Sequence, residues 1–140
     1  MESEDLVHQI RRLADHFTGR RTVYVPTQAL ESDVHVLEHD ELIAVAQPSV
    51  IPLQLLQGLD RVADILIDNT TRFAKGQHAN NALLWGARGM GKSSLIKAVH
   101  REIAKNVPDA QLQLVEVHRG DLEALPSLMR VLRTRDEKFI

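Results

Sequence analysis

The stretch LLWGARGMGKSSLIKA, Leu83 to Ala98, places three of the chain's seven glycines within six positions, directly before Lys92 and Ser93. Glycine enters left-handed backbone angles without steric penalty and lets main chain approach another group with no Cβ in between. The apolar run Ala82–Trp85 ahead of it reads as a short strand. Leu95, Val99 and Ile103 behind it recur at helical spacing. The glycines therefore mark a turn joining a strand to a helix, and that junction constrains the fold more than any other feature of the chain.

Residues Gly86, Ala87, Arg88, Gly89, Met90, Gly91, Lys92 and Ser93 fit the pattern G-x-x-x-x-G-K-[ST], known as Walker A, without a gap. Each position has a chemical reason. A loop whose backbone N–H groups all face inward surrounds a polyphosphate, and a helix starting near Gly91 aims its positive end at the same anion. Lys92 is placed to reach the β- and γ-phosphates, and the Ser93 hydroxyl to complete the shell of a Mg²⁺ ion. Ser94 stands where it can donate to the α-phosphate. With this chain's own residue frequencies the fixed positions match by chance in roughly one such chain in a thousand, so a plain glycine-rich turn is the poorer reading.

Elsewhere the apolar residues set out the remaining elements. Leu6, Ile10, Leu13 and Phe17 predict a helix, with Glu2, Glu4 and Asp5 near its positive end and Gly19 as its stop. Thr22–Val25, Val34–Leu37 and Leu42–Ala46 read as short β pieces cut by proline or charge. Leu55, Leu59, Val62, Ala63, Leu66, Thr70 and Phe73 form one helical face closed by Lys75 and Gly76. Leu112–Val117 predicts another strand, and Pro126 opens a helix with Leu128, Met129 and Leu132 facing inward. Glu137–Ile140 looks like the start of a further strand. The alternation of helix and strand from Leu55 onward predicts an α/β fold with a parallel sheet. Residues 1–54 read as an accessory segment, and 55–140 as a nucleotide-binding domain.

With 140 residues, a net charge of −2 and 44% hydrophobic residues, the composition is that of a modest globular domain. It carries no global basic field to attract nucleic acid or anionic lipid. The absence of cysteine excludes disulfides, thiolate metal sites and a cysteine nucleophile. The first residues lack the apolar core of a signal peptide and no aliphatic run approaches the length of a membrane span, which predicts a cytoplasmic protein without membrane partners.

The stretch from Leu55 to Ile140, with GLDR, ANNALLWGARG and LVEV as its anchors, resembles an uncharacterised bacterial family of P-loop ATPases of the AAA+ class that carries only a domain-of-unknown-function label. The resemblance implies ATP as the nucleotide, a P-loop NTPase (AAA+-like) fold, and a position near the adenine for Gln57, Gly58, Leu59 and Asp60. It allows a homo-oligomer in complete family members. Met90 stands where many relatives have a small polar residue. Since the backbone there faces the phosphate, this departure leaves binding intact. Such ATPases continue into a Walker B strand ending in acids, then a sensor residue and an arginine finger. Here no Asp or Glu fills those roles in the right order, Glu116 and Asp121 being the nearest. The resemblance thus implies the front half of an ATPase, inactive in hydrolysis by itself because positioning water and neutralising the transition state are most of that catalysis.

Two other function classes stand beside this one. The same binding site without turnover would make a non-catalytic, nucleotide-dependent interaction module. Separately, His35-Val-Leu-Glu38-His39 matches the H-x-x-E-H zinc pattern, which needs a helix to bring both imidazoles to one face. That match arises by chance in about two chains of this composition in a hundred, and no third ligand accompanies it. Arg11, Arg12, Arg20, Arg21, Arg130, Arg133 and Arg135 alternate with acids and lack interleaved aromatics, so they read as solvated faces, not as a nucleic-acid surface.

Overall fold

The computed structural model describes residues 2–19, 21–26, 30 and 32–140. Arg20 and the side chains of 2–5 and 8, including the acids expected at the positive end of the first helix, lie outside that description. The chain gathers into two compact units, Met1–Ala46 with Val115–Asp136, and Gln47–Leu114 with Glu137–Ile140.

The first unit opens with helix α1, Glu2–Thr18, followed by strands β1, Val34–Glu38, and β2, Glu41–Ala44. These strands pair antiparallel through a two-residue turn in which His39 and Asp40 both have left-handed φ, 48° and 65°. Two positive φ angles give the hairpin twist that matches the strands, at a cost for residues with a Cβ. The surroundings hold this turn. Arg12 donates to the His39 carbonyl at 2.9 Å, the Tyr24 amide donates to the Asp40 carbonyl at 2.8 Å, and Arg21 meets the Asp40 carboxylate at 2.7 Å. Arg21 also faces Glu123 at 3.5 Å and Asp121 at 3.8 Å. Its pKa rises above the ordinary arginine value, chiefly through the hydrogen bond to Asp40.

Strand β3, Leu112–Val117, begins in the second unit and ends in the first. A 3-10 stretch, Arg119–Ala124, leads from it into helix α4, Leu125–Leu132, with proline in the first turn where its missing N–H does no harm. Val23, Val25, Leu37, Leu42, Ala124 and Leu128 make this unit's core. Leu128 is buried and Leu132 partly so, as their i, i+4 spacing requires, whereas Met129, one position round the helix, is exposed rather than inward. The apolar stripe of α1 does not join the core: Leu6, Ile10, Leu13 and Phe17 are all exposed.

The second unit holds helix α2, Asp60–Ala74, helix α3, Lys92–Asn106, the start of β3, and strand β4, Lys138–Phe139. Leu66, Ala74, Leu95, Val99, Ile103, Ala110 and Leu112 are its buried core. Leu59, Ala63, Ile67 and Phe73 of the α2 side pack partly buried against it, while Val62 lies largely exposed on the shoulder of that face. Each fully buried leucine stabilises the unit by about 2 kcal/mol. His100 on α3 is buried with its Nε2 at 2.9 Å from the Leu112 carbonyl, a polar contact that fixes α3 against β3.

The fold is α/β, with four strands in the order β2-β1-β3-β4 and helices flanking them. The sheet is mixed rather than parallel throughout: β1 and β2 run antiparallel, and β3 and β4 pair parallel through Leu112 with Lys138 and Gln113 with Phe139. The strand expected at Ala82–Trp85 does not form. A strand exists only where its N–H and C=O groups find a neighbouring backbone. Both sides of β3 are taken by β1 and β4, and Ala82–Trp85 pairs with no strand among the described residues. Among those residues no helix is long and apolar enough to cross a membrane.

Candidate functional site

The glycine loop lies in the second unit between the unpaired Ala82–Trp85 segment and α3. Gly89 and Gly91 hold φ of 77° and 82°, angles that an L-residue adopts only at a cost. Gly91 is the N-cap of α3, so the chain swings through a left-handed residue straight into the helix. No side chain caps that helix, and no acid sits in its first turn. The N–H groups at the start of α3 thus present their partial positive charge uncompensated, which is what an anion-accepting helix end requires.

Lys92, the first residue of α3, folds back across the loop. Its Nζ donates to the Gly86 carbonyl at 3.0 Å and to the Ala87 carbonyl at 2.6 Å. The ammonium is thereby held over the same turn whose amides are candidates for a phosphate. Among the described residues, the N–H groups of Gly86 to Gly89 donate to no backbone carbonyl outside helices and strands. Ala87, Arg88, Gly89, Met90 and Ser93 are exposed, and Ser94 is half-buried at the base of the helix. Gly86 through Ser94 form one continuous turn and helix start.

Beside the loop opens a cavity of about 340 Å³ lined by Leu59, Val62, Leu83, Leu84, Trp85, Gly86, Met90, Lys92 and Leu95. It places Leu59, of the Gln57–Asp60 turn, within reach of the loop: a Cβ added at Gly91 would lie 3.3 Å from Leu59 Cδ1. The apolar lining by Trp85, Leu83 and Val62 is not anticipated by reading Ala82–Trp85 as a short strand. Trp85 is instead 87% exposed and Leu83 88% exposed. The signal available in the sequence is a single tryptophan placed directly before the first glycine of the loop.

The other candidates are arranged differently. His35 to His39 lies on β1 and its turn, not on a helix, with His35 buried and His39 exposed at the hairpin tip. No group of three or more His, Cys, Asp or Glu side chains that could hold a metal gathers among the described residues. Asp121 is engaged with Arg21 inside the first unit, and Glu116 sits half-buried on β3.

The fold and the loop together define an α/β chain whose glycine turn feeds an uncapped helix with a lysine drawn back across the turn. The chain belongs to the family described as Protein of unknown function (DUF815), which it matches over residues 28–140. The match starts well upstream of Leu55 and takes in the β1–β2 hairpin as well as the loop. No curated protein and no solved structure matches the chain.

Proposed function

We propose that this chain binds Mg·ATP through the loop Gly86–Ser94 and belongs to an ATPase of the AAA+ class. One observation carries the reading: a turn with glycine at its left-handed positions enters an uncapped helix, with the Lys92 ammonium held over the turn. Backbone amides, helix end and ammonium converge on one region of positive potential, the arrangement that a polyphosphate needs. In this reading Lys92 contacts the β- and γ-phosphates, Ser93 supplies a hydroxyl to Mg²⁺ and Ser94 donates to the α-phosphate. The bonds from Lys92 to Gly86 and Ala87 hold its long side chain near the loop in the free protein, so less side-chain entropy is lost when phosphate arrives.

Calorimetric titration with Mg·ATP tests the proposal. Charge-assisted hydrogen bonds contribute about 1.5–3 kcal/mol, so Lys92→Ala should weaken binding by about 10- to 150-fold. Lys105→Ala, an exposed change on the same helix, should leave it unaltered. Equal affinity in the Lys92 variant and the parent would refute the site.

A further inference from the structure

We infer that α1 pairs with α1 of a second copy of this chain as a parallel two-stranded coiled coil, with Leu6, Ile10, Leu13 and Phe17 as its seam. The helix is mounted the wrong way round for an ordinary globular unit. A surface helix lays its apolar stripe on the core and keeps its polar face in water. Here the polar face is the attached one: Arg12 donates to the His39 carbonyl at 2.9 Å, and Asp15 is half-buried. At 3.6 residues per turn both lie roughly opposite the stripe. Leu6, Ile10, Leu13 and Phe17 are accordingly 58%, 56%, 61% and 85% exposed. Most helical stability comes from packing an apolar face, and pairing is what packs this one.

Spacing and residue type select the occupant. The steps along the stripe are four, three and four, the alternation that keeps a seam turned toward one partner helix. In that register Leu6 and Leu13 take the d positions and Ile10 the a position between them. A β-branched residue at a with leucine at d favours two parallel strands. Between Leu6 and Phe17 the flanking e and g positions hold Val7, Ala14, Gln9 and His16. None is an acid, a lysine or an arginine, so identical helices meet without like charges set against each other. Lipid is the poorer occupant: α1 holds Glu2, Glu4, Asp5 and Asp15 against Arg11 and Arg12, whereas helices lying in a membrane interface carry basic polar faces. With Val7, the stripe presents on the order of 600 Å² per copy, so a pair buries about 1,200 Å², the low end of specific interfaces, and associates in the micromolar range. Since α1 precedes residues 28–140, this surface is separate from the stretch that carries the family match.

Sedimentation velocity of the full chain between about 1 and 500 µM tests the pairing. The expected result is a concentration-dependent monomer–dimer equilibrium. Ile10→Glu places one charge from each copy in the seam and weakens association by more than about 100-fold. Arg11→Glu, away from the seam, leaves association unchanged. Because α1 gives no residue to either core, these variants keep the fold. The chain has no cysteine, so Leu6→Cys by itself reads the orientation. In a parallel pair the two introduced thiols face each other, and oxidised glutathione converts them to a disulfide-linked dimer. A monomer throughout the range, a dimer indifferent to Ile10→Glu, or a trimer or larger assembly overturns the inference. So does a Leu6→Cys protein that links only when mixed with Phe17→Cys, or a monomeric chain that co-sediments with phosphatidylglycerol vesicles until Ile10→Glu is introduced.

Discussion

Gly91→Ala puts the loop geometry to a quantitative test. Gly91 holds φ at 82°, and an added Cβ would stand 3.3 Å from Leu59 Cδ1. Two costs follow. Holding an L-residue in the left-handed region costs about 1–2 kcal/mol. The contact is shorter than the optimum of about 3.5–4.0 Å between carbons, so Leu59 must withdraw or leave its rotamer, adding about 0.5–1.5 kcal/mol. Leu59 is packed against the second unit's core, which limits how freely it moves. The sum is about 1.5–3.5 kcal/mol, or about 0.8–1.8 M in urea midpoint for a slope near 2 kcal/mol/M. Gly89→Ala is the internal control: φ is 77° but nothing lies within 4 Å of the added atom, so only the first cost applies. Urea unfolding of both variants, with Leu59→Ala combined into a double-mutant cycle, separates the terms. A Gly91 variant as stable as the parent would refute the left-handed cap. Equal losses at 89 and 91 with no coupling to Leu59 would refute the contact.

Three further changes probe the rest of the structure. Leu95→Ala removes a side chain only 1% exposed from the second unit's core and should cost about 2–5 kcal/mol, read as a lowered urea midpoint. Arg21→Ala breaks a partly exposed network with Asp40, Asp121 and Glu123 and should cost about 1 kcal/mol at low salt, a loss that shrinks in 0.5 M salt, about where screening shortens to a few ångströms. His100→Leu deprives the buried Leu112 carbonyl of its partner and should cost about 1–3 kcal/mol, with faster amide exchange in β3 by hydrogen-exchange mass spectrometry.

Much of this fold is legible in the sequence because helices announce themselves through a long period. The expected helices correspond to α1, α2 and α3, and Leu95, Val99 and Ile103 are all buried as their spacing requires, but α2 begins only at Asp60, so Leu55 falls in a separate 3-10 turn and is exposed. Leu112–Val117 and Val34–Leu37 fall on β3 and β1 for a similar reason: apolar β-formers bounded by turn residues. Local pattern fails where structure depends on a neighbour. Ala82–Trp85 has the composition of a strand, yet without a pairing backbone it forms none, and its Leu83 and Trp85 become surface. The His35–His39 pattern looks the same on a helix as on a hairpin; only the positive φ angles at His39 and Asp40 show the hairpin. The Arg21 network is invisible to spacing, since its carboxylates come from Asp40, Asp121 and Glu123. The glycine loop is the opposite case, because a backbone demand at fixed positions is written directly into residue type.

The most direct test of the phosphate site is an amide NMR titration of ¹⁵N-labelled protein with Mg·ATP. The largest shifts should fall on the amides of Gly86 through Ser94, and Lys92→Ala should move their midpoint to about 10- to 150-fold higher nucleotide concentration. An unperturbed loop in the presence of saturating nucleotide, or shifts centred elsewhere that survive the lysine change, would contradict that site.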